Sequence, residues 1–159
     1  MSTKGLESGK NIMTLIKKCI KDKTGDENIT FCQLRDKFNI KLHIGITNIT
    51  KAQFELVGCH NMPDLSVYKA INASIAIPFI FEPYLIDGKH YVDGAVKCLS
   101  GCIPMSINAD TIVIKLDEYV KDTKNINILE YTLIVLKTMA TEEEPIENNY
   151  TLSITVPDK

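Results

Sequence analysis

Two aspartate–glycine pairs lie close together in the middle of the chain, Asp87-Gly88 and Asp93-Gly94, separated by Lys89-His90-Tyr91-Val92. An aspartate followed by glycine after a strand has two uses. It can turn the chain, because its side chain accepts local backbone N–H bonds and glycine tolerates a positive φ. It can also present a carboxylate at the end of a sheet, where it serves as a general base toward a hydroxyl. The first pair is flanked by Tyr84-Leu85-Ile86 and His90-Tyr91-Val92, the pattern of a two-residue hairpin turn. The second pair follows the outgoing strand of that hairpin. Asp93 is therefore either a second turn residue, with Gly94 taking a positive φ, or a catalytic carboxylate held at a sheet edge.

A carboxylate base needs a nucleophile to activate. A serine hydrolase raises its serine on a sharp strand-to-helix turn, with glycines two residues to either side so that the backbone can pass close. The seven serines are Ser2, Ser8, Ser66, Ser74, Ser100, Ser106 and Ser153, and none has glycine at both of those positions. Gly5-Leu-Glu-Ser-Gly9 has the wrong spacing. A glycine-rich oxyanion turn is also missing, since none of the eight glycines is adjacent to another. Cys98 and Cys102 follow Asp93, but nothing in their surroundings marks an activated thiol. His90, Asp93, Cys98 and Cys102 are mixed metal donors without the paired spacing of a zinc site, and loop cysteines packed as small hydrophobes are the simpler reading. His43 alternates with apolar neighbours and belongs on the polar face of its strand; His60 has no evident partner.

The elements that must position Asp93 follow from periodicity. Ser66 is placed to cap a short helix through Val67, Ala70, Ile71 and Ser74, whose small residues allow close packing, and Pro78 ends it. Upstream, Ile12, Leu15, Ile16, Cys19 and Ile20 form the apolar stripe of a helix ending near Thr24-Gly25, with Lys10, Lys17, Lys18 and Lys21 on a solvated face. Thr30-Phe31-Cys32-Gln33 has capping-box form and opens a helix through Phe38. Leu42, Ile44 and Ile46 alternate as a strand; Thr47 to Thr50 turns the chain; Phe54 and Leu56 mark a paired strand. Further on, residues 111–116 read as a buried strand, Asn125 caps a helix carrying Ile128 to Met139, residues 141–149 form a solvated loop, and Tyr150 to Val156 alternate as a last strand. Strands alternating with helices define an α/β fold.

The run Tyr68-Lys-Ala-Ile-Asn-Ala-Ser-Ile-Ala-Ile-Pro-Phe-Ile-Phe81, followed by Tyr91-Val-Asp-Gly-Ala95, resembles the second half of a patatin-like phospholipase domain. The likeness extends less tightly from Ile29 to Leu116. It implies a three-layer α/β/α hydrolase fold in which a serine and an aspartate form a dyad acting on lipid esters, with no cofactor and no metal. Asp93 occupies the dyad position within an Asp-Gly-Ala motif, and Ser74, Pro78, Gly94 and Ala95 are supporting geometry. The family's serine elbow and oxyanion turn precede the portion matched here. The resemblance thus implies a domain incomplete at its N-terminus and inactive alone. It is then a gene fragment, one half of a split enzyme, or a degenerate relative kept as a non-catalytic interaction or lipid-binding remnant. An incomplete sheet leaves an apolar edge that favours self-association or an upstream half as partner.

The totals set the remaining bounds. At 159 residues, one domain spanning residues 1–159 with a substantial core is expected. A net charge of −2 makes no case for nucleic acid. No apolar run reaches the roughly 18 residues of a membrane span, so any membrane contact is peripheral. The five cysteines are an odd number at scattered spacings, and residues 1–10 lack an apolar signal core. Both features lead to the expectation of a reducing, cytoplasmic setting without a disulfide framework. The sequons at Asn28, Asn48, Asn72 and Asn149 then arise by chance, and Asn72 lies where a glycan has no room.

Overall fold

The computed structural model describes residues 5–7, 9–98, 113–118, 127–139 and 151–156. The chain runs β1 (Gly5–Glu7), α1 (Lys10–Thr24), α2 (Phe31–Phe38), β2 (His43–Asn48), β3 (Gln53–Gly58), α3 (Val67–Ser74), β4 (Phe79–Phe81), β5 (Tyr84–Ile86) and β6 (Lys89–Asp93), then a 3-10 turn over Gly94–Val96. It continues as β7 (Val113–Glu118), α4 (Ile128–Met139) and β8 (Thr151–Val156). The fold is α/β, as the alternation of periods requires.

The sheet that carries Asp93 has the order β3-β2-β6-β5, and every neighbour in it is antiparallel. β1 pairs with β4, and β7 with β8, in two separate parallel ladders. The β5–β6 hairpin turns at Asp87 and Gly88, with φ of 47° and 75°, as a two-residue turn demands. β2 runs two residues further than its alternation indicates, through Thr47 and Asn48, and Ala52 takes the left-handed position of the following turn.

Local signals place the helices. Thr30 Oγ1 accepts from Gln33 N at 3.2 Å and Gln33 Oε1 accepts from Thr30 N at 2.9 Å, the reciprocal box that opens α2. Gly25 closes α1 at φ 79°, its N–H donating to the Lys21 carbonyl at 2.8 Å. Ser66 stands at the N-cap of α3, yet its side chain makes no capping bond; Ser66 instead bridges to Thr30. α3 stops at Ser74, before the residue that Pro78 restricts, because Ile75 leaves helical geometry. α4 is opened by Asn127, whose Oδ1 accepts from Glu130 N at 2.9 Å while Glu130 Oε2 accepts from Asn127 N at 2.8 Å. The cap is therefore Asn127 rather than Asn125, which lies outside the described residues, as do residues 141–149.

The core joins three layers of sequence. Ile29, Phe31 and Leu34 come from the α2 segment, Val67, Ala70 and Ala73 from α3, and Ile46, Val57, Ile86 and Tyr91 from the sheet. Ala70 and Ala73 are fully buried, so the small side chains let α3 lie directly on β2 and β6. The stripe expected on α1 behaves otherwise. None of its residues is buried, and Leu15 is 62% exposed. Its lysine face is also not wholly solvated, since Lys17 Nζ sits 4.3 Å above the centre of the Tyr68 ring.

Candidate site around Asp93

Strand parity decides where Asp93 points. Directly opposed residues of an antiparallel ladder share a face. Asn48 opposes Tyr91 and Ile46 opposes Asp93, so Asp93 stands on the face that carries the buried Ile46 and Tyr91. The carboxylate is thus delivered to the core side of the sheet at the last residue of β6, partly buried. Burial pushes its carboxyl above the ordinary aspartate value, and the Ala95 backbone N–H opposes that shift.

Two backbone contacts fix the aspartate. Its Oδ1 accepts from Ala95 N at 2.8 Å, capping the 3-10 turn. Its own N–H donates to the Ala76 carbonyl at 3.0 Å, which ties the end of β6 to the segment that follows α3. The Ala-Ser-x-x-x-Pro segment and the Asp-Gly-Ala motif are therefore one structural unit. Ser74 is the last residue of α3, and Pro78 leads into β4. Neither touches the carboxylate through a hydrogen bond among the described residues. Ala95 acts through its backbone.

Gly94 is needed for closeness rather than for a left-handed φ. A Cβ there would stand 2.6 Å from the Gly45 carbonyl oxygen and 2.8 Å from its carbon. The positive φ expected of it is not adopted, since the turn after β6 is right-handed 3-10. The buried Thr47 hydroxyl donates to the Gly94 carbonyl at 3.3 Å, adding a second tether.

A polar cluster under the same sheet face is less apparent from the sequence. Asn48 is fully buried. Its Nδ2 donates to Glu55 Oε1 at 2.8 Å and to Tyr91 Oη at 3.4 Å, and its Oδ1 accepts from Thr50 N at 3.0 Å and Lys51 N at 3.1 Å. Tyr91 Oη donates to Glu55 Oε2 at 3.3 Å. Desolvation first, then the Glu55 charge, pushes the Tyr91 phenol up to about 12. The signal available in the sequence was Asn48 itself, polar at a position whose parity with Ile44 and Ile46 is apolar. Its burial, with that of Asn72, leaves a glycan no access to either amide.

Other candidates separate from the site. Cys98 is buried as expected, but it is disulfide-bonded rather than a simple packed thiol. It is thus no nucleophile for Asp93, and Cys102 lies outside the described residues. His43 is not simply surface-facing. Its Nδ1 is buried without a hydrogen-bond partner, and its ring lies 5.2 Å from that of His60. Among the described residues no group of three or more His, Cys, Asp or Glu is arranged to hold a metal ion. Gly9 takes φ 66° just before α1, and Ser8 beside it lies outside the described residues.

The Asp-Gly-Ala strand end is thus tied to the segment after the small-residue helix, the two motifs that carry the family resemblance. The profile of "Patatin-like phospholipase" matches residues 1–98, and the chain belongs to that family. It is 31% identical over 90 residues to "Uncharacterized protein R571" of Acanthamoeba polyphaga mimivirus, a match covering 57% of this chain and 29% of that protein. The crystal structure of VipD from Legionella pneumophila superposes with a TM-score of 0.46 at 18% identity, covering 69% of this chain and 21% of that one. The chain therefore spans well under half the length of these relatives.

Proposed function

We propose that this chain furnishes the base of a lipid acyl hydrolase, with Asp93 as the aspartate of a Ser–Asp dyad. The observation that carries the reading is the held carboxylate of Asp93, pinned through Ala95 and Ala76 and raised in basicity by burial. A serine other than this chain's own seven would approach the carboxylate from the side not bonded to Ala95. As serine Oγ bonds to the ester carbonyl carbon, its proton passes to Asp93, and the departing alcohol takes that proton when the C–O bond breaks. Water then repeats the cycle against the acyl-serine and releases the fatty acid. No cofactor enters this scheme.

A second reading, a non-catalytic lipid-binding or interaction module, is favoured by the absence of any Gly-x-Ser-x-Gly segment. The apolar Ile12 and Leu15, exposed on α1 beside Lys18, suit peripheral contact with a lipid surface. The test is an esterase and phospholipase assay on three preparations. These are the chain alone, the chain joined to a patatin-family segment carrying the serine elbow and glycine-rich turn, and that joined protein with Asp93→Asn. The first is expected to be inactive, the second active, and the third reduced by about 10²–10⁴-fold. A joined protein whose turnover survives Asp93→Asn would remove Asp93 from the chemistry. A correctly folded joined protein that binds vesicles without turnover would favour the second reading.

A further inference from the structure

Away from Asp93, two free cysteines meet across a long stretch of sequence. Cys32 is the second residue of α2, and Cys59 follows the last residue of β3. Both are half-buried rather than enclosed, and of the groups around the Cys32 thiol Cys59 has the largest influence on it. The backbone holds both ends in place. Cys32 N–H donates to the Pro63 carbonyl at 3.0 Å and Phe31 N–H to the Leu65 carbonyl at 3.2 Å. On the other side Asn61 Oδ1 accepts from Gly58 N at 3.0 Å, and Met62 N–H donates to the Gly58 carbonyl at 2.9 Å, closing the turn that carries Cys59. The approach of the two cysteines is thus built into the packing of α2 against the β3–α3 connection.

Two charged side chains flank the Cys32 sulfur. Arg35 Nη2 donates to Cys32 Sγ at 3.1 Å, and Cys32 S–H reaches Asp36 Oδ2 at 3.7 Å. The guanidinium favours a thiolate on Cys32, while the Cys59 thiol beside it has the larger influence and pushes the Cys32 thiol up.

We propose that Cys32 and Cys59 are a reversible dithiol–disulfide pair, a modification site separate from the Asp93 carboxylate. The oxidant is a small-molecule disulfide. One cysteine thiolate attacks a sulfur of that disulfide, forming a mixed disulfide and releasing one small thiolate. The second cysteine thiolate attacks the protein sulfur of the mixed disulfide, forming the Cys32–Cys59 bond and expelling the other small thiolate. The two protons lost by the cysteines go to the two released thiolates. The pair loses two electrons and the small disulfide gains them. The new bond ties the start of α2 covalently to the turn that leads into α3.

The whole chain is incubated with glutathione disulfide, blocked with N-ethylmaleimide, and digested with trypsin without reduction. The expected product joins the peptide of residues 24–35 to that of residues 52–69, with two hydrogens lost, and dithiothreitol reverses it. Cys32→Ser and Cys59→Ser each abolish this product, and Cys19→Ser leaves it intact. The same incubation in urea lowers its yield in favour of mixed disulfides, because the fold brings the sulfurs together. Mixed disulfides at Cys32 and Cys59 that persist in the native chain without cross-linking would overturn the proposal. So would equal cross-linking in urea, or a product that requires Cys19.

Discussion

The backbone N–H of Asp93 donates to the carbonyl of Ala76 across 3.0 Å, joining the end of β6 to the segment that leaves α3. This bond places the carboxylate by way of the segment just past α3, seventeen residues earlier. The position of Asp93 then depends on how α3 lies on the sheet, and through Ala70 and Ala73 on side chains that are fully buried. The predictions below test the parts of that arrangement.

Gly94→Ala is expected to destabilise the chain by about 3 kcal/mol, at the upper end of what overpacking usually costs. The new methyl would stand 2.6 Å from the Gly45 carbonyl oxygen, a backbone atom that cannot rotate away. Urea denaturation of the variant beside the parent measures it. A loss below about 1 kcal/mol would mean that β2 and the 3-10 turn separate easily.

Asp93→Asn is expected to stabilise the chain at neutral pH by about 0.5–1 kcal/mol, a figure kept low because the side chain is partly exposed. The carboxyl is raised in the fold, so the folded state holds its proton more tightly than the unfolded state. Its favourable contribution is complete below the ordinary carboxylate value and is lost as pH rises through the raised value. Asparagine can still accept the Ala95 N–H and carries no charge to bury. Denaturation midpoints of parent and variant should converge toward acid pH and diverge toward neutrality; the reverse order would show that the charge is stabilising.

Tyr91 contributes to the alkaline dependence of stability. Its phenol is raised to about 12, so the fold favours the neutral ring. That contribution is intact below the ordinary tyrosine value near pH 10 and is lost as pH rises toward the folded value. Tyr91→Phe should remove this alkaline dependence. It should also lower stability at neutral pH by about 1 kcal/mol, because Asn48 and Glu55 each lose a partner. Tyrosinate absorbance during alkaline titration, with denaturation at each pH, separates the two effects.

Phe79→Gly is expected to raise stability by about 1 kcal/mol, the penalty of a left-handed side-chain-bearing residue. Phe79 sits at φ 69° directly after Pro78 and is 61% exposed, so the ring contributes little packing to offset its backbone. Thermal unfolding measures the gain. A loss would mean that the ring is covered by something other than the described residues.

Several features of this protein were readable in the sequence because their causes lie within a few residues of one another. Asp87-Gly88 fixes the β5–β6 hairpin through two left-handed φ values. Thr30 and Gln33 open α2 by bonding to each other's backbone, and Gly25 ends α1. The Asp-Gly-Ala motif at Asp93 marked the family. Tertiary structure decided what those signals left open. Gly94 is small because Gly45 lies against it from a strand that pairs with β6, and no local pattern encodes that approach. Asn48 is buried because Glu55 and Tyr91 converge on it from two neighbouring strands. The α1 stripe is covered only in part, with Ile20 packed against the core and Leu15 exposed, since periodicity gives a helix an apolar face but not a partner for all of it. Cys32 and Cys59 are neighbours only because α2 docks on the turn after β3, and hydrogen bonds from Phe31 and Cys32 to Leu65 and Pro63 set that docking. Local bonding rules act over one turn of chain, whereas contacts between distant segments depend on how whole faces pack, and only the folded core fixes those.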